Sequence, residues 1–138
     1  MPLLYYWRPD NYARDRVFGF GYHLNQNSVA MSAAQPGTSL WAFTRLTRAS
    51  LYVLAAELVV RALTRNPRGY RYGAYRLWGD IQSSRYFDIE RGRDVEPIIR
   101  ALNVPTRGEQ LGQSFQGNAA GMSPVKGVNR DFGWFSSS

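Results

Sequence analysis

Between Leu51 and Arg61 every second side chain is apolar (Tyr52, Leu54, Ala56, Leu58, Val60), while the intervening positions carry Glu57 and Arg61. A repeat of two belongs to an extended chain, and here it outweighs the helical preference of the Ala, Leu and Glu residues in the run. A strand is therefore predicted over 51–61, and a strand of this length needs a sheet. Ser39 to Leu46, behind the turn signal Gln35-Pro36-Gly37, offers a partner. It puts Trp41 and Phe43 on one face and Leu40, Ala42 and Leu46 on the other, as a strand buried on both sides does.

Shorter strands are predicted at Leu3–Trp7, Tyr75–Trp78 and Arg85–Ile89, the last two flanking the polar loop 79–84. Arg8-Pro9-Asp10 ends the first of them and lets Asp10 cap a short helix over Asn11–Val17. Phe18-Gly19-Phe20-Gly21-Tyr22-His23 alternates rings with glycine and reads as a loop or irregular strand. Asp94 caps a second helix, with Pro97 in its first turn and Val95, Ile98, Ile99 and Leu102 forming a stripe that docks on the sheet. From Pro105 onward Gly, Ser and amides dominate, with a short helix around Glu109–Phe115, and Trp134 and Phe135 as rings able to dock on the body.

The 138 residues suffice for one domain with one core, and a composition 44% hydrophobic and 14% aromatic is that of a globular chain. Seventeen basic against ten acidic residues leave a formal charge of +7, which favours a polyanionic partner. Lys126 is the sole lysine, so the cations are guanidiniums, which fork onto phosphate and stack on rings; a coding bias toward arginine gives the same composition. Five arginines (61, 65, 68, 71, 76) crowd a segment with no acidic residue, with Asn66-Pro67-Arg68-Gly69 as a turn and Tyr70, Tyr72 and Tyr75 interleaved. This is a basic hairpin suited to a phosphate backbone, or a solvated loop.

With no cysteine and one histidine, His23, the chain lacks disulfides, a thiol nucleophile and a Cys/His zinc cluster. Glu57, Asp80, Asp88 and Glu90 are scattered, and neither GxGxxG nor GxxxxGK[ST] occurs, so metal-dependent nuclease and nucleotide-hydrolase chemistry are disfavoured. A metal-free ribonuclease built on His23 stays open. The opening residues lack a signal-peptide pattern and no apolar run is long enough to span a membrane, so a soluble cytoplasmic protein is expected. Trp7, Phe18, Phe20, Tyr22, Trp41, Trp78, Tyr86 and Phe87 are candidates either for the core or for a pocket in which an extruded base stacks. Asp80, Ser83, Ser84 and Arg85 form the most site-like polar cluster, able to read a base edge or to cap the amides of a hairpin turn.

Tyr6-Trp7-Arg8-Pro9, the segment Gly37–Phe43, the strand Tyr52–Val60, and Trp78-Gly79-Asp80 with Ser84-Arg85-Tyr86-Phe87 resemble the PUA superfamily. Within it they are most similar to the EVE-like and YTH-like domains at the front of modification-dependent HNH restriction endonucleases. The resemblance spans residues 3–104, and Leu111–Gly117 resembles the stretch leading into the nuclease half, which this chain does not contain. Where EVE domains carry a Trp-x-x-Val-Arg-Asn-like segment after the first strand, this chain has Phe18–Asn25.

The resemblance implies an α+β fold: a small PUA-like pseudo-barrel of five or six mostly antiparallel strands with flanking short helices over 1–104, and a Gly/Ser-rich arm or linker over 105–138. It also implies a non-enzymatic reader of duplex DNA, without cofactor or metal and with no membrane partner, serving restriction of foreign DNA such as phage. Such a reader takes a modified base, for example 5-methylcytosine or 5-hydroxymethylcytosine, by base flipping, and works with a nuclease domain or separate effector. Trp7, Phe20, Tyr22, Trp41, Trp78 and Tyr86 are the expected pocket rings, Asp80, Ser83 and Ser84 the base-edge contacts, and Arg68, Arg71, Arg76 and Arg85 the phosphate contacts. An RNA-binding module of the same fold, the His23 ribonuclease and a structural or oligomerising protein remain alternatives.

Overall fold

Leu3–Tyr6 forms the first strand, β1, and all four of its side chains are buried, which places the start of the chain inside a sheet. The computed structural model describes residues 3–18, 21–26, 32, 34–46, 49–101 and 119–121. After β1 come α1 (Pro9–Phe18), β2 (His23–Gln26), β3 (Ser39–Leu46), β4 (Leu51–Arg65), β5 (Tyr75–Gly79), β6 (Arg85–Tyr86), a 3-10 turn (Ile89–Arg91), α2 (Glu96–Ala101) and β7 (Ala119–Gly121). Phe20, Leu102, the expected helix around 109–115, the 111–117 stretch and the Trp134-Phe135 pair lie outside the described residues.

The strands pair in the order β2-β5-β4-β3-β1-β7, with β6 beside β4. β1 runs parallel to β3 and every other pair is antiparallel. The result is an α+β domain on a mixed sheet whose pairings follow an open path; the closure of a barrel is not made among the described residues.

β4 extends four residues past the predicted end, and two bulges break its alternation. Ala42 faces Ala56 while Phe43 faces Leu54, so Ala55 is an extra residue, and Arg61 is extra between Val60 and Ala62. An inserted residue re-aims the side chains that follow it. The apolar set predicted for a single face is divided accordingly. Tyr52 and Leu54 join Leu4, Tyr6, Trp41 and Phe43 under Val95 and Ile99 of the α2 segment. Ala56, Leu58 and Val60 join Leu3, Tyr5, Leu40, Ala42 and Leu77 on the opposite face. β3 is buried on both faces as expected.

α2 is held as its sequence foretold: the Asp94 carboxylate accepts the Glu96 N–H at 3.1 Å, and Val95 and Ile99 are buried. The strand expected over Arg85–Ile89 stops at Tyr86, because the Asp88 carboxylate accepts the Glu90 N–H at 3.1 Å and starts the 3-10 turn. Gly92 after that turn lies against β4, where a Cβ would come within 2.7 Å of Val53 Cβ. Among the described residues no helix is long and apolar enough to cross a membrane.

Candidate nucleic-acid interface

Helix α1 packs on β3 and borders an open cleft of about 490 Å³ between itself and the sheet, with His23, Leu24 and Asn25 of β2 and Tyr72 of the 66–74 loop also in its lining, a volume typical of ligand pockets. Tyr12 anchors the helix, buried and edge-on to Trp7 at 5.0 Å between ring centroids. Asn11, Arg14 and Asp15, three to four residues apart and so on one side of the helix, line the cleft together with Arg8. The Trp7 indole N–H donates to Asp15 Oδ2 at 3.1 Å, fixing ring and carboxylate together.

The floor is apolar: Leu40, Ala42, Ala56 and Leu58, all buried. Ala42 and Ala56 face one another across the ladder, and two methyl groups at this point leave depth that larger side chains would fill. Trp7 and Tyr86 form walls, 6.4 Å apart between ring centroids, and Tyr22 packs edge-on against Tyr86 at 5.5 Å. The Tyr86 hydroxyl donates to the Gly21 carbonyl. Burial foremost, then the neighbouring Tyr22 and Asp15, push the Tyr86 phenol up to about 12, so it stays a neutral donor at ordinary pH. A Cβ at Gly21 would lie 2.9 Å from His23 Nδ1, so a side chain there requires the exposed His23 ring to shift.

The basic hairpin is β4 and β5 with the connecting loop 66–74, Arg65 facing Tyr75. None of Arg61, Arg65, Arg68, Arg71 and Arg76 has a carboxylate partner among the described residues. Three of them lie over rings: Arg65 over Tyr75 at 5.4 Å, Arg71 over Tyr72 at 5.4 Å, and Arg76 over Tyr70 at 5.5 Å and Trp78 at 5.3 Å. Arg76 is held further by Asn25 Oδ1 at 2.9 Å and the Tyr70 hydroxyl at 3.1 Å.

The loop between β5 and β6 is not a hairpin turn. β5 and β6 run in the same direction along β4, facing Arg65 back to Val60 and then Glu57 and Ala56, so they are one partner strand interrupted by a five-residue excursion, Asp80–Ser84. Asp80 accepts from Gln82 N at 3.3 Å and from Ser83 Oγ at 2.7 Å, spending its carboxylate inside the loop. Ser84 is buried and its hydroxyl accepts the Val59 N–H at 2.9 Å.

Of the expected pocket rings, Trp7 and Tyr86 line the cleft and Tyr22 backs it. Trp41 does not share it: it is 1% exposed on the opposite face, stacked on Phe87 at 6.5 Å, because odd positions of β3 point under α2. Trp78 stands on the outer face of the hairpin against His23 at 5.8 Å, and donates to Thr64 Oγ1 at 2.9 Å. Of the expected phosphate contacts, Arg68 and Arg71 are exposed on the hairpin. Arg76 is sandwiched, and Arg85 is paired with Glu57 at 3.1 Å. Sequence reasoning missed Asn11, Arg14, Asp15 and Asn25, although the spacing of the first three on α1 was visible. Among the described residues no three His, Asp or Glu side chains converge as a metal site. No family model, curated protein or solved structure matches this chain.

Proposed function

We propose that this chain is a DNA reader: a modified base, rotated out of the duplex, enters the cleft between α1 and the sheet while arginines of the hairpin meet the phosphates. The observation that carries this reading is the cleft itself, an aromatic-walled recess with an alanine floor and a rim of guanidinium, amide and carboxylate groups. Rings offer stacking to an extruded base, and the rim groups offer donors and acceptors to its edge. The unpaired arginines beside it supply the counterion-releasing contacts that hold a duplex.

The sequence resemblance to PUA-type domains favours the same reading and the finer fold assignment, a PUA-like relative with an interrupted barrel strand. In this reading the chain is the specificity part of a modification-dependent restriction system, and strand scission belongs to a nuclease domain or effector elsewhere.

Fluorescence anisotropy on otherwise identical duplexes bearing cytosine, 5-methylcytosine, 5-hydroxymethylcytosine or N6-methyladenine, at two salt concentrations, tests it. One modified duplex is expected to bind more tightly, and the preference to survive higher salt and to vanish in Trp7→Ala and Asn11→Ala proteins that remain folded by circular dichroism. Equal, strongly salt-dependent binding to every duplex would leave only an electrostatic binder and overturn the reader assignment.

A further inference from the structure

The outer face of the hairpin carries a row of groups that the core does not use, and the two ends of the row, His23 and Tyr72, reach the lining of the cleft. Beyond the Arg61 bulge, Thr64, Arg76 and Trp78 point away from Leu63 and Leu77, which pack into the core. His23, paired with Trp78 across β2 and β5, extends the row at one end. Arg76 joins Trp78 to Tyr70, and Tyr70 meets Tyr72 at 5.8 Å toward the loop. His23, Trp78, Arg76, Tyr70 and Tyr72 thus form one continuous line of planar groups along a partly exposed sheet face and the loop beside it. Tyr70 and Tyr72 are 36% and 54% exposed, unusual for rings that could have packed inward.

The row is stiffened from within. Asn25 Oδ1 accepts from both Arg76 Nε and Asn66 Nδ2, and Thr64 Oγ1 accepts the Trp78 indole N–H. Arg76 therefore serves as a spacer between two rings rather than as a forked ligand for phosphate, and the free cations lie beside the row at Arg68 and Arg71. Exposed rings fixed on a sheet, flanked by unpaired guanidiniums, provide what unpaired bases need: a π-face to stack on and a cation for each passing phosphate. A duplex buries its base faces in its own stack and leaves such rings unused.

We infer that this face is a second nucleic-acid surface, continuous with the cleft at His23 and Tyr72 and extending beyond it over Trp78, Arg76 and Tyr70, on which bases of single-stranded DNA stack. DNA is the strand proposed because the face adjoins the cleft read above as a DNA site, and the inference rests on that reading.

The test is anisotropy with labelled oligothymidylate and oligouridylate of about 16 nucleotides, the upper end of common site sizes, and an unmodified duplex of equal length. Wild type is expected to bind oligothymidylate more tightly than the duplex or oligouridylate. Trp78→Ala and the exposed-site variant Tyr70→Ala are each expected to weaken that binding roughly 5- to 150-fold, the loss of about one stacked base, while Trp78→Phe retains most of it. Unchanged oligothymidylate affinity in the folded Tyr70→Ala and Trp78→Ala proteins, or preference for the duplex, would overturn the platform. Tighter binding of oligouridylate would overturn its assignment to DNA. The probes contain neither a modified base nor, for the oligonucleotides, a duplex, so these outcomes are read separately from those of the cleft.

Discussion

The Ser84 hydroxyl accepts the Val59 backbone N–H at 2.9 Å, so a side chain supplies the rung of the β4 ladder that is lost where its partner strand loops away. Ser84→Ala leaves that N–H without its partner in a buried setting and is expected to destabilise the fold by about 1–3 kcal/mol. Urea unfolding should show a lower midpoint at an unchanged slope.

Arg68 and Arg85 are both arginines of the β4–β5–β6 region, but only Arg85 has a carboxylate, Glu57, which also accepts from Ser39 Oγ at 2.9 Å. If duplex binding uses unpaired cations, Arg68→Ala reduces the slope of log K against log salt by about 0.9, the value of one phosphate contact on duplex DNA. Arg85→Ala leaves the slope unchanged. Titrations over a series of salt concentrations check both.

Tyr86 links stability to alkaline pH. Its phenol is pushed up to about 12 in the folded protein and titrates near 10 when unfolded, so the unfolded chain releases the proton first. Its contribution is fully present below pH of about 10 and is lost as pH rises through about 12. Burial raises Tyr6 and Tyr12 in the same direction. Denaturant midpoints should therefore hold steady up to about pH 10 and then fall, and Tyr86→Phe should flatten that fall.

Gly92 has an ordinary backbone conformation, φ −68°, and its constraint is space alone. A methyl group there meets Val53 Cβ at 2.7 Å and Cγ1 at 2.9 Å. Gly92→Ala is expected to cost about 1–3 kcal/mol through overpacking, and Val53→Ala in the same protein should recover part of it, a coupling that a double-mutant cycle measures.

Thr44 is 1% exposed and its hydroxyl has no hydrogen-bond partner among the described residues. Thr44→Val removes the stranded hydroxyl while keeping the branched shape, so stability should be equal or higher in thermal melts.

The elements that the sequence announced were those with local causes. Tyr52 to Val60 alternated, Ser39 to Leu46 was apolar on both sides, and Asp94 stood immediately ahead of an apolar stripe. What escaped depended on distant partners. The bulge at Ala55 is imposed by where Ala42 and Phe43 fall on β3, and no feature of Ala55 itself marks it. Ala119–Gly121 carries no strand pattern, yet it pairs with β1. In the interface, Trp7 and Tyr86 were legible as rings, but Trp41, equally aromatic, was consigned to the core by its parity on β3. The polar character of Ser84 signalled a ligand contact, whereas the structure occupies its hydroxyl with a backbone amide.

The position of β1 sets a schedule for the chain as it is made. Leu3 takes Leu40 on one side and Gly121 on the other, so β1 acquires its second neighbour only after β7, far downstream of it, has left the ribosome. Until then one margin of a fully apolar strand shows bare amides and carbonyls to every other nascent chain nearby. Slow elongation between β1 and β7 prolongs that exposure, and inclusion-body formation during expression is the expected symptom.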